Sequence, residues 1–271
     1  MNIRSVLSAA FLTCTLLLLG ACSSHEETSF GSTLGPGTGS KSSIGPITSP
    51  FSFTSIGVAL GLESRDLTYC AREPAPHYTV STFLPEPKID TSMSLDQIGR
   101  LMRVDYRHMA LGATQSREVV FALMSADVKQ SPEGGVCAYP TKVSLTLGLT
   151  ARVVHVASDF AGTEPCIYAE VLGHEEHHVA LDNALMHAAG ESLRVNATKR
   201  FADLYGVWGR TEAAARQNLQ HRLEADEEGL RSEIQHTRVD AQADEIDTQA
   251  ERRRLVSACD GRLAQLYPGY M

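Results

Sequence analysis

The hexapeptide Gly-His-Glu-Glu-His-His at Gly173–His178 holds two histidines four residues apart, His174 and His178. In a helix, residues four apart lie on one face, so both imidazoles can reach the same metal ion. Glu175 lies one position further round that helix, where it can take a proton from a water molecule held by the metal. The pattern therefore predicts a metal-binding helix.

Apolar residues recur at helical intervals on both sides of a short break downstream of this motif. The first helix is predicted to begin after Pro165 and to end before Gly206-Val-Trp-Gly209, with Gly190 and Asn196 as candidate kinks. The second helix is predicted from about Thr211 to Val256. Two long helices joined by a short connection are expected to form an antiparallel hairpin.

The hairpin offers candidates for a third metal ligand, because catalytic zinc usually has three protein ligands and one water molecule. The part of the second helix expected to face the motif carries Asp240, Asp244 and Asp247, at spacings of four and three. One of these aspartates is expected to bind the metal, and a solvent-exposed acidic face is the alternative. Asp182 lies on the motif helix and is expected to accept a hydrogen bond from a histidine.

Upstream of the motif the sequence alternates between apolar and polar residues, as β-strands do. Strands are predicted at Tyr78–Phe83, Glu118–Leu123, Val143–Leu147 and Arg152–Ala157. Residues 148–151 are expected to form a hairpin loop between the last two, and a short helix is expected after Ser94 as N-cap. The fold class predicted is therefore α+β: a small antiparallel sheet with a helix, then the motif-bearing helix and a second long helix.

The N-terminal residues resemble a bacterial lipoprotein signal. Arg4 supplies a positive charge, Val6–Leu19 is almost continuously apolar, and Leu19-Gly-Ala-Cys22 matches a lipobox. The apolar run is too short for a transmembrane helix, and a signal peptide without lipidation is the nearer alternative. We expect cleavage after residue 21, lipidation of Cys22 (palmitate included) and anchoring in the cell envelope. By resemblance to lipoprotein sorting in enterobacteria, Ser23 after the modified cysteine favours the outer membrane.

Three parts of the chain follow from this signal. Residues 1–21 form the predicted signal peptide, and residues 22–50 are rich in Ser, Gly, Thr and Pro, a composition typical of a flexible tether. Residues 51–271 remain, which is enough for one metal-binding domain with a C-terminal helical hairpin.

Four cysteines remain in this domain: Cys70, Cys137, Cys166 and Cys259. An even number outside the cytoplasm predicts two disulfides, and no two of these cysteines have the close spacing of zinc ligands. Three pairings are possible. We favour Cys137–Cys166 with Cys70–Cys259, because the first two bracket a strand-rich segment and the others lie near the ends of the domain.

The net charge of −8 and the lack of a basic tract argue against nucleic acid as a partner. Arg252–Arg254 is the densest cationic patch, and it lies among acidic residues in the second helix. A solvated helix face explains it.

The run Tyr-Ala-Glu-Val-Leu-Gly-His-Glu-x-x-His-Val-Ala-Leu-Asp, residues 168–182 preceded by Cys137 and Cys166, resembles a family of secreted bacterial proteins regarded as zinc-dependent proteases. The resemblance is firm across Cys137–Asp182 and implies a zincin-like fold that binds Zn²⁺. Family members carry Asp-Thr late in the second helical segment, matched here by Asp247-Thr248. The resemblance thus selects Asp247 as the third ligand, although the His-Gly that follows in the family is replaced by charged residues.

These expectations combine into a lipid-anchored zinc metallopeptidase. Its ligands would be His174, His178 and Asp247, its base Glu175, and its substrate a protein or peptide of the cell envelope. An amidase acting on peptidoglycan is a variant of the same chemistry. The alternatives are a non-catalytic metal-binding lipoprotein and a lipoprotein whose helical hairpin binds an envelope partner.

Overall fold

The structure is a computed structural model that describes residues 69–103, 110–201 and 204–268. The predicted signal peptide and tether, with the lipidation site Cys22, lie outside the described residues. Among the helices of the described ranges, none has both the length and the apolar composition needed to cross a bilayer.

A mixed sheet forms the N-terminal half of the described chain. Its strands are β1 (His77–Phe83), β2 (Lys88–Asp90), β3 (Gly112–Gln130), β4 (Val136–Val156) and the later β5 (Val207–Gly209). The long strand β4 pairs with β3 in antiparallel orientation along its length. Its other edge pairs in turn with β5 (antiparallel), β1 (parallel) and β2 (parallel). The sheet is therefore mixed, and the prediction of an antiparallel sheet is wrong in this respect.

The predicted hairpin loop at residues 148–151 is also wrong, because β4 continues through it. Gly148, Leu149 and Thr150 all pair with β3. The irregularity is a register shift opposite Ser116, with Ala151 at φ +50°. A bulge of this kind bends a strand without ending it. The hairpin turn lies instead between β3 and β4.

Four helices accompany the sheet in the described ranges: α1 (Leu95–Leu101), α2 (Pro165–Arg200), α3 (Glu212–Glu245) and α4 (Gln249–Leu266). The prediction of Ser94 as the N-cap of α1 is confirmed, since its side chain accepts the N–H of Gln97 and the Gln97 side chain accepts the N–H of Ser94. The structure is thus mixed α and β, as the sequence indicates.

Helix α2 carries the hexapeptide and runs without a break through Gly190 and Asn196. Gly190 has a packing role: a Cβ atom there would lie 2.7 Å from Cγ2 of Thr82. The glycine lets β1 approach the helix, so its helix-weakening tendency is offset by close packing.

The second predicted helix is divided in two by residues 246–248. The N–H groups of Ile246 and Asp247 both bond to the carbonyl of Gln242, which ends α3. The Thr248 side chain then accepts the N–H of Glu251 and begins α4. Helix α4 is itself interrupted at residues 258–261, where the backbone of Cys259 is left-handed (φ +55°).

Helices α2 and α3 run in opposite directions. Asp182, midway along α2, contacts Arg238 near the end of α3, whereas Arg200 at the end of α2 contacts Glu233, which lies earlier in α3. One apolar core lies between these helices and the sheet, and a second packs α1 and α4 against the start of α2. The hexapeptide lies in the first half of α2, between the two cores.

All four domain cysteines form disulfides, but the pairing favoured from the sequence is wrong. The pairs are Cys70–Cys137 and Cys166–Cys259. Because β4 is continuous, roughly 60 Å of extended chain, at about 3.3 Å per residue, separates Cys137 from the far end of that strand. Cys166 instead begins α2, where α4 packs beside it and brings Cys259 within reach.

Candidate metal centre

The structure brings together the three residues proposed as metal ligands. Nε2 of His174 and Nε2 of His178 are 3.2 Å apart. Oδ1 of Asp247 lies 3.5 Å from the first and 3.2 Å from the second. Ligand atoms placed about 2.0–2.1 Å from a tetrahedral ion are about 3.3–3.4 Å apart, so the three atoms form one face of such a site.

Helix geometry and the α3–α4 break create this cluster. His174 and His178 lie on the buried face of α2, with 1 % and 0 % of their side chains exposed. Asp247 is the second residue of the break, and its side chain is 7 % exposed. A continuous helix through residue 247 would lack the turn that brings this carboxylate to the histidines.

Glu251, in the first turn of α4, holds the other nitrogen of His174. Its Oε1 lies 3.2 Å from Nδ1 of His174 and also accepts a hydrogen bond from Arg254. Arg254 contacts Glu170 on α2 as well. Since Nδ1 donates to Glu251, the neutral ring presents the lone pair of Nε2 to the cluster.

The protonation of this group depends on its acidic neighbours. Burial by itself lowers the pKa of His174, but the adjacent carboxylates of Asp247 and Glu251 outweigh burial and raise the pKa to about 9. For Glu251, burial raises the pKa, but the bonds to His174 and Arg254 bring it down to about 2. At neutral pH, His174 therefore carries a positive charge between the two carboxylates.

Within the part of the chain that the structure describes, the carboxylate of Asp247 is buried without the hydrogen bonds that such a group usually has. Among the described residues, neither of its carboxylate oxygens has a hydrogen bond of good geometry, and Nδ1 of His178 also has no partner there. Burial raises the pKa of Asp247, but the two histidines outweigh it and hold the pKa below its ordinary value. Buried, unsatisfied oxygens beside two imidazole nitrogens are typical of a cation site.

Glu175 is fully buried and points toward the start of β3. The hydroxyl of Thr114 donates to its Oε2 at 2.9 Å. Gly112 is required beside it, because a Cβ atom there would lie 2.8 Å from Oε1 of Glu175 and 2.9 Å from a backbone carbonyl oxygen. Strand β3 therefore fixes the orientation of this carboxylate.

The prediction that Asp182 accepts a hydrogen bond from a histidine is wrong. Its carboxylate accepts from Arg238 twice, from Gln242 and from Ser116. Burial raises the pKa of Asp182 to about 6, and burial lowers the pKa of Arg238 to about 9. Asp182 thus joins α2 to α3 beside the histidines.

The remaining candidates lie elsewhere. Asp240 and Asp244 are exposed on α3 and take no part in the cluster, so Asp247 alone of the three aspartates approaches the histidines. Sequence reasoning missed Glu251, although Thr248-Gln-Ala-Glu251 is a capping-box pattern that signals a helix start. It also missed Gly112 and Thr114, for which the sequence gives no signal.

Comparisons of the chain with models of protein families, with curated proteins and with solved structures give no match.

The cluster fits a divalent metal ion on its own chemistry. It provides two imidazole nitrogens and one carboxylate oxygen, a donor set typical of zinc enzymes. Glu251 orients one imidazole from behind, as partners of metal-bound histidines commonly do. Within the described residues, no fourth His, Cys, Asp or Glu joins the group.

Proposed function

We propose that the protein is a zinc-dependent metallopeptidase, anchored by lipid on Cys22 in the bacterial cell envelope. The observation that carries the proposal is the convergence of His174, His178 and Asp247 on one point. Glu175 is the next residue after His174 in the same helix, and its charge helps to raise the pKa of His174. Three protein ligands leave one tetrahedral position for water or substrate, which is the arrangement of catalytic zinc.

The chemistry that zinc supplies when bound is polarisation of the scissile carbonyl and a lower pKa for water. The role of this chain is to hold and orient the reacting groups. Glu251 accepts the Nδ1–H of His174, so the neutral ring turns the lone pair of Nε2 toward the metal position. Glu175 accepts the proton of the attacking water and returns it to the leaving amine. Thr114 holds the Glu175 carboxylate in one orientation by donating to Oε2.

A zincin-like arrangement is part of the proposal. A strand, β3, lies against the HExxH helix, and a later segment brings an acidic side chain to the two histidines. The resemblance of Asp247-Thr248 to the Asp-Thr pair of the secreted zinc-dependent proteases supports the same interpretation. Hydrolysis of peptide bonds in peptidoglycan remains a variant, since the residues involved are the same.

The envelope location rests on two features. The apolar run followed by Leu19-Gly-Ala-Cys22 supports lipidation of Cys22 and export. Two disulfides, Cys70–Cys137 and Cys166–Cys259, support a folded domain outside the reducing cytoplasm.

Burial of the centre favours a second candidate function, a metal site that only stabilises the fold. The side chains of His174 and His178 are at most 1 % exposed, and Glu175 is 0 % exposed, so a peptide reaches them only if covering segments move. A structural zinc site has four protein ligands, which distinguishes it from the three-ligand centre proposed here.

The experiment is a comparison of wild type with Glu175→Gln in zinc content and in cleavage of a panel of peptides. Glu175→Gln keeps the three ligands and the size of the side chain, so zinc content should stay at the wild-type level. Turnover should fall at least ~100-fold, the effect of losing a general base. Thr114→Val, which removes only the orienting hydroxyl, should give a smaller loss. Wild-type turnover by Glu175→Gln overturns the peptidase proposal, and so does a wild type that holds zinc but cleaves neither peptides nor peptidoglycan.

A further inference from the structure

A buried polar network joins α2 and α3 next to the metal centre. Asp182 on α2 accepts from Nε of Arg238 at 3.0 Å, from Nη2 of Arg238 at 2.6 Å and from Nε2 of Gln242 at 2.7 Å. The Arg238 guanidinium also contacts Glu118 and donates to the Ser116 hydroxyl, both on β3. The network thus connects both helices to the strand that holds Glu175.

The members of the network have little freedom to rearrange. Asp182 is 0 % exposed, Gln242 1 % and Arg238 4 %. A buried carboxylate that lost its donors would be left without water to replace them, so breaking these hydrogen bonds is costly. Arg238 fixes Asp182 with two parallel hydrogen bonds, and Asp182 in turn fixes the amide of Gln242.

Gln242 transmits this restraint to the metal ligand. Its backbone carbonyl accepts the N–H groups of Ile246 and Asp247, both at 3.0 Å, and these bonds form the turn that directs Asp247 to the histidines. Asp182 lies one helical turn after His178 on α2. The side-chain bond between Gln242 and Asp182 therefore ties the segment that carries the third ligand to the helix that carries the other two.

We propose that Gln242, held by Asp182, is a positioning residue that sets the place of Asp247 and through it the affinity for the metal. The proposal rests on the metal centre described above, and it does not depend on peptidase activity. It assigns Arg238 the supporting role of keeping Asp182 in place.

The test uses Gln242→Met, which keeps the length of the side chain and its helix propensity but removes the amide that bonds Asp182. The matched control is Glu233→Gln, which alters a polar contact between the same two helices at Arg200, away from Asp247. For each protein, the zinc dissociation constant is measured by competition with a chromophoric chelator, and the rise in Tm on adding zinc is measured by calorimetry. The visible spectrum of the Co²⁺-loaded protein reports the geometry of the ligands directly.

Gln242→Met should raise the zinc dissociation constant about tenfold, as expected when a ligand loses its orienting partner. Its zinc-dependent rise in Tm should shrink and its Co²⁺ spectrum should change, while Glu233→Gln stays within about twofold of wild type. A purely structural role of Gln242 would lower the Tm of the metal-free and zinc-loaded forms equally and leave the zinc-dependent rise in Tm unchanged. That result overturns the inference, and so does an equal loss of zinc affinity in Gln242→Met and Glu233→Gln. If Gln242→Met does not fold, Gln242→Asn, whose amide is too short to reach Asp182, is measured with the same expectation. A wild type that binds no stoichiometric zinc contradicts the metal centre itself, so the two failures are distinguishable.

Discussion

Replacing Glu251 by glutamine tests how the protein orients its first histidine. Glu251 accepts the Nδ1–H of His174 at 3.2 Å, and Gln keeps an acceptor oxygen at the same place but loses the negative charge. A hydrogen bond to a charged group contributes about 1.5–3 kcal/mol, and a neutral one contributes about 0.5–1.5 kcal/mol. The corresponding ends of these two ranges differ by about 1–1.5 kcal/mol. We use this difference because the Glu251 side chain is only 18 % exposed, so solvent screens its charge little.

A difference of this size corresponds to about a tenfold weaker zinc affinity for Glu251→Gln. Competition with a chelator at fixed pH measures it. The matched control is Glu170→Gln, which removes the carboxylate at the other side of Arg254 without touching a histidine and should change the affinity less than about twofold. Equal affinities of wild type and Glu251→Gln would refute the orienting role, as would an equal loss in the control.

Three further predictions concern the fold and its protonation. Gly190→Ala places a Cβ atom 2.7 Å from Thr82 and should lower the free energy of unfolding by about 1–3 kcal/mol. The control Gly173→Ala, whose Cβ meets no neighbouring element within 4 Å, should raise the free energy of unfolding by up to about 1 kcal/mol. Urea denaturation measures both changes, and a stabilised Gly190→Ala variant would contradict the close packing of Gly190 against Thr82. Removing the Cys166–Cys259 disulfide, which links residues 93 apart in the sequence, should lower the free energy of unfolding by about 2–5 kcal/mol in the same assay. Its loss should also weaken zinc binding, because the helix that carries Glu251 is then less restrained. Unchanged zinc affinity would argue against this coupling. Because the folded-state pKa of His174 is raised to about 9, its proton stabilises the metal-free fold fully below about pH 6.5, and this stabilisation is lost as the pH rises through 9. Zinc binding at pH 7.5 should therefore release close to one proton, which calorimetry in buffers of different ionisation enthalpy measures. The absence of proton release would contradict the ion pairs of His174.

Local signals in the sequence predicted the elements that depend on neighbouring residues. The spacing of His174 and His178 placed both rings on one helix face, and Ser94 marked the start of α1. Alternation located β1 correctly to within one residue. These features depend on backbone periodicity and capping, which are written in short stretches of sequence.

Features that depend on distant contacts were not predictable in this way. Gly148 suggested a turn, but pairing on both edges of β4 holds it in the strand. The disulfide pairing depends on the length of β4 and on α4 packing beside α2. The network around Asp182 joins residues from β3, α2 and α3, and no local pattern distinguishes Arg238 from the other charged residues of α3.

The break between α3 and α4 was predictable only in part. Thr248 and Glu251 have the spacing of a capping box, which predicts a helix start, but the continuing apolar repeat favoured one long helix. The break brings Asp247 to the histidines, so the same local signal also locates the proposed third ligand. In the structure the Glu251 side chain bonds His174, and only the Thr248 half of the capping interaction forms.

We propose that His174, His178 and Asp247 together hold one divalent metal ion. The most direct measurement is the zinc content of the folded protein after reconstitution and exhaustive dialysis, by mass spectrometry of the metal, for wild type and Asp247→Ala. We expect one zinc ion per chain in wild type and a substoichiometric amount in Asp247→Ala. A wild type without bound zinc, or an Asp247→Ala variant that retains one ion per chain, would contradict it.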